Sequence, residues 1–206
     1  MLLYTATSNS GKLRDFTYAA ERHRNAFTIQ PLPGLAKIPP PPEAELTFAA
    51  NARAKAIYYS PHAPGQFVIA DDSGLEVAAL HGAPGVRSAR YAEDQNYLSD
   101  LGLSIDERNN AALLRNLDGV SNTERQASYR CALGLARDGE VFKMAEGRLD
   151  GIILAMPRGS AGFGYDPLFY LPEYGVSMAE IEPALRIQVS HRGRALEDLL
   201  RQLSKG

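Results

Sequence analysis

The sequence has little cysteine and no long hydrophobic run. Its single cysteine, Cys131, cannot form an intrachain disulfide, and one thiol excludes a thiolate metal cluster within the chain. Cys131 lies in the alternating segment 127–133, where a buried strand thiol is expected rather than a nucleophile. Apolar runs such as residues 67–70 and 151–156 are far shorter than the roughly 20 residues that cross a bilayer. The sequence therefore predicts no membrane partner.

An excess of charge of either sign is also lacking. The chain has 22 lysine and arginine residues against 24 aspartate and glutamate residues, a formal net charge of −2. Such a weak field does not concentrate a protein on DNA, RNA or anionic lipid, so we expect no nucleic-acid polymer as a partner. Residues 1–5 contain neither a basic leader nor a long apolar stretch, which favours a cytoplasmic protein.

The sequence does contain a full set of strand and helix patterns. Its 206 residues, 45% of them hydrophobic, are enough to bury a core, and we predict a single domain over residues 1–206 with no separable linker. Hydrophobic spacing predicts strands at residues 2–7, 27–30, 67–70, 126–136 and 141–149, and helices at residues 10–23, 48–59 and 190–203, with two more between 94 and 117. Asp138-Gly139 is typical of a hairpin turn, and the prolines at residues 39–42 predict an extended loop.

The first candidate site lies between the first strand and the first helix. Its residues are Thr7, Ser8, Asn9, Ser10, Gly11 and Lys12. A helix N-terminus presents unpaired N–H groups and a partial positive charge, to which Lys12 adds a full charge, so this segment is typical of a phosphate cradle. A simple helix cap made by serine and asparagine is the alternative. It is not a Walker P-loop, because the required glycine and the Ser or Thr after Gly-Lys are absent.

The second candidate site is Asp71-Asp72-Ser73-Gly74, which follows the apolar run 67–70. Two adjacent carboxylates at a strand end, where the chain must turn, need a cation or donors to compensate them. Carboxylate oxygens are hard ligands suited to Mg²⁺. The alternative is a solvated Asp-Ser-Gly turn.

Two further candidates lie in the second half of the chain. In residues 162–167, two glycines allow close approach of the backbone to a flat ligand, while Phe163 and Tyr165 offer stacking faces. At Ser190-His191-Arg192, Arg192 can bind a phosphate or a base carbonyl and His191 can donate to a carbonyl oxygen. A glycine-rich turn and a capped helix start are the respective alternatives.

Six stretches in sequence order together resemble the inosine triphosphate pyrophosphatase family, the Ham1-like enzymes that destroy non-standard purine nucleoside triphosphates. The stretches are residues 7–13 (TSNSGKL), 47–52 (TFAANA), 70–75 (ADDSGL), 82–91 (GAPGVRSARY), 162–167 (GFGYDP) and 190–192 (SHR). Any one of them is weak evidence, but their order along nearly the whole chain identifies the family.

The resemblance implies a fold, a reaction and a set of site residues. The fold is an elongated α/β fold with two lobes, a central mixed β-sheet flanked by helices and a nucleotide cleft between the lobes, and the protein is a homodimer. The reaction is hydrolysis of inosine, deoxyinosine or xanthosine triphosphate to the monophosphate and pyrophosphate. Asp72 is the implied catalytic carboxylate and a Mg²⁺ ligand. Lys12 and Lys55 are the implied contacts to the triphosphate, and Ser73 is an implied substrate contact. The implied base pocket consists of Phe163, Gly164, Tyr165, Asp166, His191 and Arg192.

The chain departs from the family pattern at three points. Ala50 replaces the acidic residue that usually precedes the asparagine at position 51. The further acidic metal ligand expected upstream, beside Asp71 and Asp72, is Glu43 by ungapped placement, with Glu45 as second choice. Arg186, which the resemblance implies as a substrate contact, stands where lysine is typical, and a planar guanidinium binds differently from a compact ammonium.

These departures leave two alternatives to the implied function. Arg186 would suit an enzyme of the same chemistry that acts on other nucleotides, such as modified pyrimidines or standard triphosphates. The missing carboxylate at Ala50 would suit a nucleotide-binding module without turnover, although Asp71 and Asp72 argue for catalysis.

Overall fold

The computed structural model of the protein describes residues 1–21, 26–97 and 102–204. Within these ranges the chain forms seven strands and six α-helices. The strands are β1 (Leu2–Thr5), β2 (Thr28–Pro31), β3 (Phe67–Val77), β4 (Gln126–Arg137), β5 (Glu140–Ile153), β6 (Phe169–Leu171) and β7 (Val176–Ser177). The helices are α1 (Ser10–Glu21), α2 (Phe48–Tyr59), α3 (Tyr91–Asp94), α4 (Ile105–Asn116), α5 (Pro183–Val189) and α6 (His191–Ser204).

The strands form one mixed sheet in the order β2-β1-β3-β4-β5-β6-β7. Strand β1 pairs in parallel with β2 and β3, so that Leu3 lies opposite Phe67 and Thr5 opposite Ile69. Strand β6 pairs antiparallel with both β5 and β7. The α/β class and the central mixed sheet flanked by helices are therefore confirmed.

The chain divides into two compact units. The first unit comprises Met1–Ser73, Arg130–Arg148 and Ile187–Gly206, and the second comprises Gly74–Tyr129 and Leu149–Arg186. The chain crosses from one unit to the other four times, because each unit is assembled from separate stretches of the sequence.

The core of the first unit has two sides, set by the alternation of side chains along the strands. Ile69 packs with Phe16 of α1 and with Leu196 and Leu199 of α6. The neighbouring residue, Ala70, packs with Ala56 of α2. Helices α1 and α6 therefore cover one face of the sheet in this unit, and α2 covers the other.

The second unit is built around α4 and the aromatic residues of the sheet. The rings of Tyr129 and Phe169 lie 4.3 Å apart between centroids, and both residues are buried. On α4, the buried side chain of Asn109 accepts a hydrogen bond from Ala92 N at 2.8 Å and donates to Ala89 O at 3.2 Å. These bonds tie α4 to the segment just before it.

Most predicted elements are confirmed, with two corrections. Strand β3 does not end at Ala70 but continues to Val77, so the predicted turn at the acidic pair is wrong. In the region predicted as two helices, α4 forms, whereas the helical turn before it is α3, which ends at Asp94 instead of starting there. Residues 98–101 of that region, and residues 22–23 of the predicted first helix, lie outside the described residues.

The hairpin predicted at Asp138-Gly139 joins β4 to β5. Both turn residues have positive φ, 52° and 86°, as the tight turn between twisted strands requires. Among the described residues, none of the helices is both long and apolar enough to cross a membrane.

Candidate active site

The acidic pair lies within strand β3, just beyond the point where its neighbour β1 ends. The last pairing of β1 with β3 joins Thr5 to Ile69, and Ala6 N still donates to Ile69 O at 2.8 Å. Because successive side chains of a strand point to opposite faces, Asp71 points to the face covered by α1 and Asp72 to the face covered by α2. The strand continues here because each carboxylate meets a lysine of the helix on its own side.

Asp71 meets the first turn of α1. Asn9 Oδ1 accepts a hydrogen bond from Lys12 N at 3.0 Å, which caps the helix. Lys12 Nζ lies 2.7 Å from Asp71 Oδ2. Burial opposes ionisation of Asp71, but the charges of Lys12, Arg192 and Lys55 outweigh it and hold the pKa of Asp71 below its ordinary value. The structure therefore contains both the helix cap, made by Asn9, and the cation of this segment, Lys12.

The other members of the predicted cradle lie in or next to the turn before α1. Thr7 is buried and its Oγ1 accepts a hydrogen bond from Asn9 N at 3.3 Å, whereas Ser8 is exposed. Gly11 is buried in the first helical turn. The side chain of Ser10 lies outside the part of the chain that the structure describes.

Asp72 meets two residues of α2. Lys55 Nζ lies 3.0 Å from Asp72 Oδ1, and Asn51 Nδ2 donates to Asp72 Oδ2 at 3.1 Å. Asn51 and Lys55 are four positions apart, so they lie on one face of the helix. Thr47 sets the start of α2, because its hydroxyl oxygen accepts a hydrogen bond from Ala50 N. Ala50, the departure from the family pattern, contributes a backbone N–H to that cap.

Lys55 also contacts Glu43, so one ammonium group joins two carboxylates. Burial disfavours the charged form of Lys55, but Asp72, Glu43 and Asp71 outweigh it and raise the pKa of Lys55 above its ordinary value. The pKa of Asp72 is raised because burial, assisted by the charge of Glu43, outweighs the attraction of Lys55 and Lys12. We call Lys12, Glu43, Lys55, Asp71 and Asp72 the carboxylate–lysine cluster.

Asn51 lies within the motif at residues 47–52, and its role in the site was not predicted from the sequence. Its amide forms a two-way bridge to the backbone of Glu45, accepting from Glu45 N at 3.1 Å and donating to Glu45 O at 3.2 Å. This bridge holds the segment that carries Glu43 near Asp72. Of the two glutamates considered for the metal, Glu43 therefore contacts the cluster through its side chain, and Glu45 contacts Asn51 through its backbone.

The oxygen atoms of the cluster suit a hard divalent cation. Among the described residues, no group of three or more His, Cys, Asp and Glu side chains is arranged to hold a metal ion. Glu43 and Asp72 nevertheless converge on one cationic group, the ammonium of Lys55. Because Mg²⁺ is commonly bound by one or two carboxylates together with substrate phosphates and water, this pair fits Mg²⁺. Asp71, which points to Lys12, is the least suited of the three predicted ligands.

Arg192 and Ser73 extend the cluster on the face of α1 and α6. Arg192 Nη2 donates to Ser73 Oγ at 3.1 Å, and Arg192 Nη1 lies 3.6 Å from Asp15 Oδ2. Helix α6 lies directly on β5, since a Cβ on Gly147 would stand 2.5 Å from Ala195 N. Only glycine allows this close approach. The buried His191 and Arg192 lie in the first turn of α6.

Residues 162–167 of the second unit, which we call the glycine loop, are held by a buried carboxylate. Asp166 is 4% exposed, accepts hydrogen bonds from Phe163 N at 2.9 Å and Tyr129 OH at 3.1 Å, and forms an ion pair with Arg186. Arg186 also donates to Met178 O at 2.9 Å. The two residues predicted to contact substrate, Asp166 and Arg186, are thus bound to each other.

The two aromatic residues of the glycine loop have different environments. Tyr165 is buried, and its hydroxyl donates to Ser88 O at 2.7 Å, so it anchors the loop. Burial raises the pKa of Tyr165 above its ordinary value. Phe163 is only partly buried. Of the two predicted stacking faces, that of Phe163 is the one with access to solvent.

Comparisons with known proteins cover the whole chain. A sequence model described as the Ham1 family matches residues 3–202. A protein of Acidobacterium capsulatum called dITP/XTP pyrophosphatase is 54% identical over 203 residues, which are 98% of each chain. One of the same name from Geobacillus kaustophilus is 47% identical over 94% of this chain and 90% of its own. Among solved structures, a HAM1 protein from Coxiella burnetii superposes with a TM-score of 0.82 at 33% identity over 100% of both chains.

Proposed function

The chain belongs to the Ham1 family, and we propose that it hydrolyses the non-standard purine nucleoside triphosphates ITP, dITP and XTP to the monophosphate and pyrophosphate. Its relatives of 54% and 47% identity are named dITP/XTP pyrophosphatases over nearly their full lengths. The structural observation that supports the proposal best is Asp72, a buried carboxylate that contacts Lys55 and Asn51. The protein is a hydrolase acting on a phosphoric anhydride.

In the proposed reaction, water attacks the α-phosphorus. A new bond forms from the water oxygen to this phosphorus, the bond to the bridging oxygen of pyrophosphate breaks, and Asp72 accepts the proton. Asp72 is the proposed base because its carboxylate is buried and is held by Lys55 and Asn51. Asn51 orients the carboxylate by donating to the oxygen that Lys55 does not contact.

The triphosphate is assigned to the cationic groups of the first unit. Lys12, the amide groups at the start of α1 and Lys55 supply positive charge where the phosphates accumulate negative charge. Asp71 restrains Lys12, and Arg192 restrains Ser73, which we assign as a substrate contact. Together these groups stabilise the charge that develops on the leaving pyrophosphate.

Magnesium is the proposed cofactor, with Glu43 and Asp72 as its protein ligands. Bound there, it would polarise the phosphoryl oxygens and neutralise their charge. The proposal predicts that Glu43→Gln raises the Mg²⁺ concentration needed for half-maximal rate by about tenfold or more. Glu45→Gln is the matched control and leaves that concentration unchanged, because Glu45 contacts the site through its backbone. Equal effects of the two variants would overturn the ligand assignment.

Recognition of the base is assigned to Phe163, Gly164, His191 and Arg192. Phe163 is the proposed stacking face for a purine. His191 and Arg192 are hydrogen-bond donors of the kind that suits a 6-oxo group, which accepts hydrogen bonds where the amino group of adenine donates. A site of donors left unpaired against adenine discriminates by several kcal/mol. Tyr165, Asp166 and Arg186 act at the base by holding the loop that carries Phe163.

The remaining expectations concern the assembly and its place in the cell. We propose that residues 1–206 act as one functional domain, that two copies form a homodimer, and that the enzyme works in the cytoplasm on free nucleotides, without nucleic-acid polymer or membrane. Light scattering tests the dimer, which has twice the 22.4 kDa mass of the chain. A monomer at working concentrations would contradict it.

The test of the function is product identification in ¹⁸O-labelled water. Inosine triphosphate with Mg²⁺ should give pyrophosphate as the first product, and the label should enter the monophosphate, because attack is at the α-phosphorus. Asp72→Asn should lower the rate by about 10²–10⁴-fold, whereas Asp118→Asn, an exposed control, should leave it unchanged. Orthophosphate as first product, or label in pyrophosphate, overturns the proposal.

A nucleotide panel separates the remaining candidates. Inosine and xanthosine triphosphates should be hydrolysed in preference to guanosine and thymidine triphosphates. A preference for the standard nucleotides would indicate the alternative function suggested by Arg186, an enzyme of the same chemistry that acts on other nucleotides. Tight binding without turnover would indicate a binding module.

A further inference from the structure

Helix α4 holds the glycine loop through two side chains that no sequence motif included. Asp106 Oδ2 accepts a hydrogen bond from Gly164 N at 2.6 Å, and Asn110 Nδ2 donates to Gly164 O at 3.0 Å. The two residues are four positions apart and therefore share one face of α4. Both polar atoms of a single loop residue are thus bound to one helix.

The start of α4 is itself firmly defined. Ser104 Oγ accepts a hydrogen bond from Glu107 N at 3.2 Å, and Glu107 Oε2 accepts one from Ser104 N at 2.8 Å, which is a capping box. Asp106 lies inside this capped turn. The capping box therefore stabilises the helical turn that presents Asp106 to the loop.

On the other side of Phe163, the loop is bound by Asp166. Phe163 N donates to Asp166 Oδ2 at 2.9 Å, so the peptide groups before and after Phe163 are both restrained. Two fixed peptide groups set φ and ψ of the residue between them, and the backbone limits which rotamers its side chain adopts. The direction of the Phe163 ring is therefore set in part by α4.

Asn110 is buried where it contacts the loop. It is 8% exposed, and its Oδ1 has no hydrogen-bond partner among the described residues. A buried amide oxygen without a donor is destabilising, and an apolar residue of similar size would avoid that cost. The hydrogen bond to Gly164 is the contact that such a residue would lose.

We propose that Asp106 and Asn110 are positioning residues for base selectivity. They hold the peptide of Gly164 and thereby set the angle at which Phe163 meets the purine, without contacting the substrate themselves. This inference rests on the proposed function, in which Phe163 stacks on the base. It assigns to α4 a role in choosing the nucleotide and none in the hydrolytic step.

The test compares a ligand that contains the base with one that does not. For Asn110→Ala, the affinity for inosine monophosphate should fall about tenfold, whereas the affinity for pyrophosphate should change less than twofold. The KM for inosine triphosphate should rise by a similar factor with kcat nearly unchanged, and the preference over guanosine triphosphate should shrink. The control is Asn109→Ala, a buried asparagine on the same helix that bonds to Ala89 and Ala92.

Asp106 provides a second variant because it is only partly buried. Asp106→Ala should reproduce the selective loss, and Asp106→Asn, which keeps an acceptor oxygen, should restore most of it. Asp118→Ala, at an exposed position just after the end of α4, is the control for the loss of an acidic residue. Equal losses for inosine monophosphate and pyrophosphate, or equal effects of the controls, overturn the inference. Failure of the unmodified protein to release pyrophosphate would instead overturn the proposed function.

Discussion

The carboxylate–lysine cluster of the first unit and the glycine loop of the second unit solve different physical problems. In the cluster, charged side chains of four segments meet one another, and burial strengthens their interactions. In the glycine loop, one ion pair and several hydrogen bonds restrain the backbone around Phe163. Charge is required where phosphate chemistry develops charge, whereas a neutral base requires a rigid surface. We therefore expect changes in the cluster to alter rate and changes in the loop to alter selectivity.

The largest effect should follow from Lys55→Met. The change removes a cation assigned to the triphosphate and leaves Glu43 and Asp72 without their common partner, so kcat/KM for inosine triphosphate should fall by about 10²–10³-fold. The ratio of inosine to guanosine triphosphate hydrolysis should stay constant, since the loop is untouched. Steady-state kinetics with both nucleotides measures the two quantities. A large fall in this ratio would show that the cluster also controls selectivity, so that the two regions do not have separate roles.

Lys12→Met should lower stability by about 3 kcal/mol, because Asp71 is left as a buried carboxylate without its closest cation. Urea unfolding of the metal-free protein measures the loss. The double variant Lys12→Met with Asp71→Leu is the control and should recover most of it, since it removes the buried charge as well. A double variant less stable than the single one would show that Asp71 is held mainly by Arg192 and Lys55.

Gly162→Ala should cost about 2 kcal/mol and reduce base preference. Gly162 has φ of 87°, and a Cβ there would collide with the carboxylate of Asp166 and stand 2.6 Å from Arg186 Nη1. The matched control is Gly65→Ala in the first unit, which has φ of 71° and no atom within 4 Å of the added Cβ. Gly162→Ala should lower both the free energy of unfolding in urea and the nucleotide ratio more than Gly65→Ala does. Similar results would mean that backbone strain alone, and not the collision, determines the loss.

The smallest effect should follow from Arg186→Lys, about 1 kcal/mol in stability and two- to threefold in nucleotide ratio. A lysine keeps the charge opposite Asp166 but lacks the second arm that donates to Met178 O. Arg158→Lys, at an exposed pair with Glu180, is the control and should leave stability nearly unchanged. Unchanged selectivity in Arg186→Lys would show that the ion pair alone suffices to hold the loop.

Strand β3 shows where reasoning from sequence succeeded and where it stopped. The apolar residues 67–70 correctly predicted a buried strand, but the acidic pair was interpreted as its end. The strand continues because Lys12, Asn51 and Lys55 compensate the two carboxylates. Compensation by residues distant in the sequence is invisible to a pattern read along the strand.

The glycine loop shows the same limit from another direction. The family resemblance predicts Asp166 as a substrate contact, and this stays a prediction. In the structure, Asp166 binds Tyr129, 37 positions earlier, and Arg186, 20 positions later, and the motif indicates neither partner. A carboxylate in a motif has the same sequence signature whether it faces a ligand or a neighbouring arginine.

The amino-acid sequence alone determined the positions of most helices and strands, the hairpin at Asp138-Gly139 and the order of the family motifs, because periodicity and turn chemistry are local properties. Only the tertiary structure decided that Glu43 rather than Glu45 reaches Lys55, that adjacent aspartates point to opposite faces, and that α4 holds Gly164 from 54 and 58 positions away. These contacts depend on how distant segments pack together, and packing is decided by the whole chain at once.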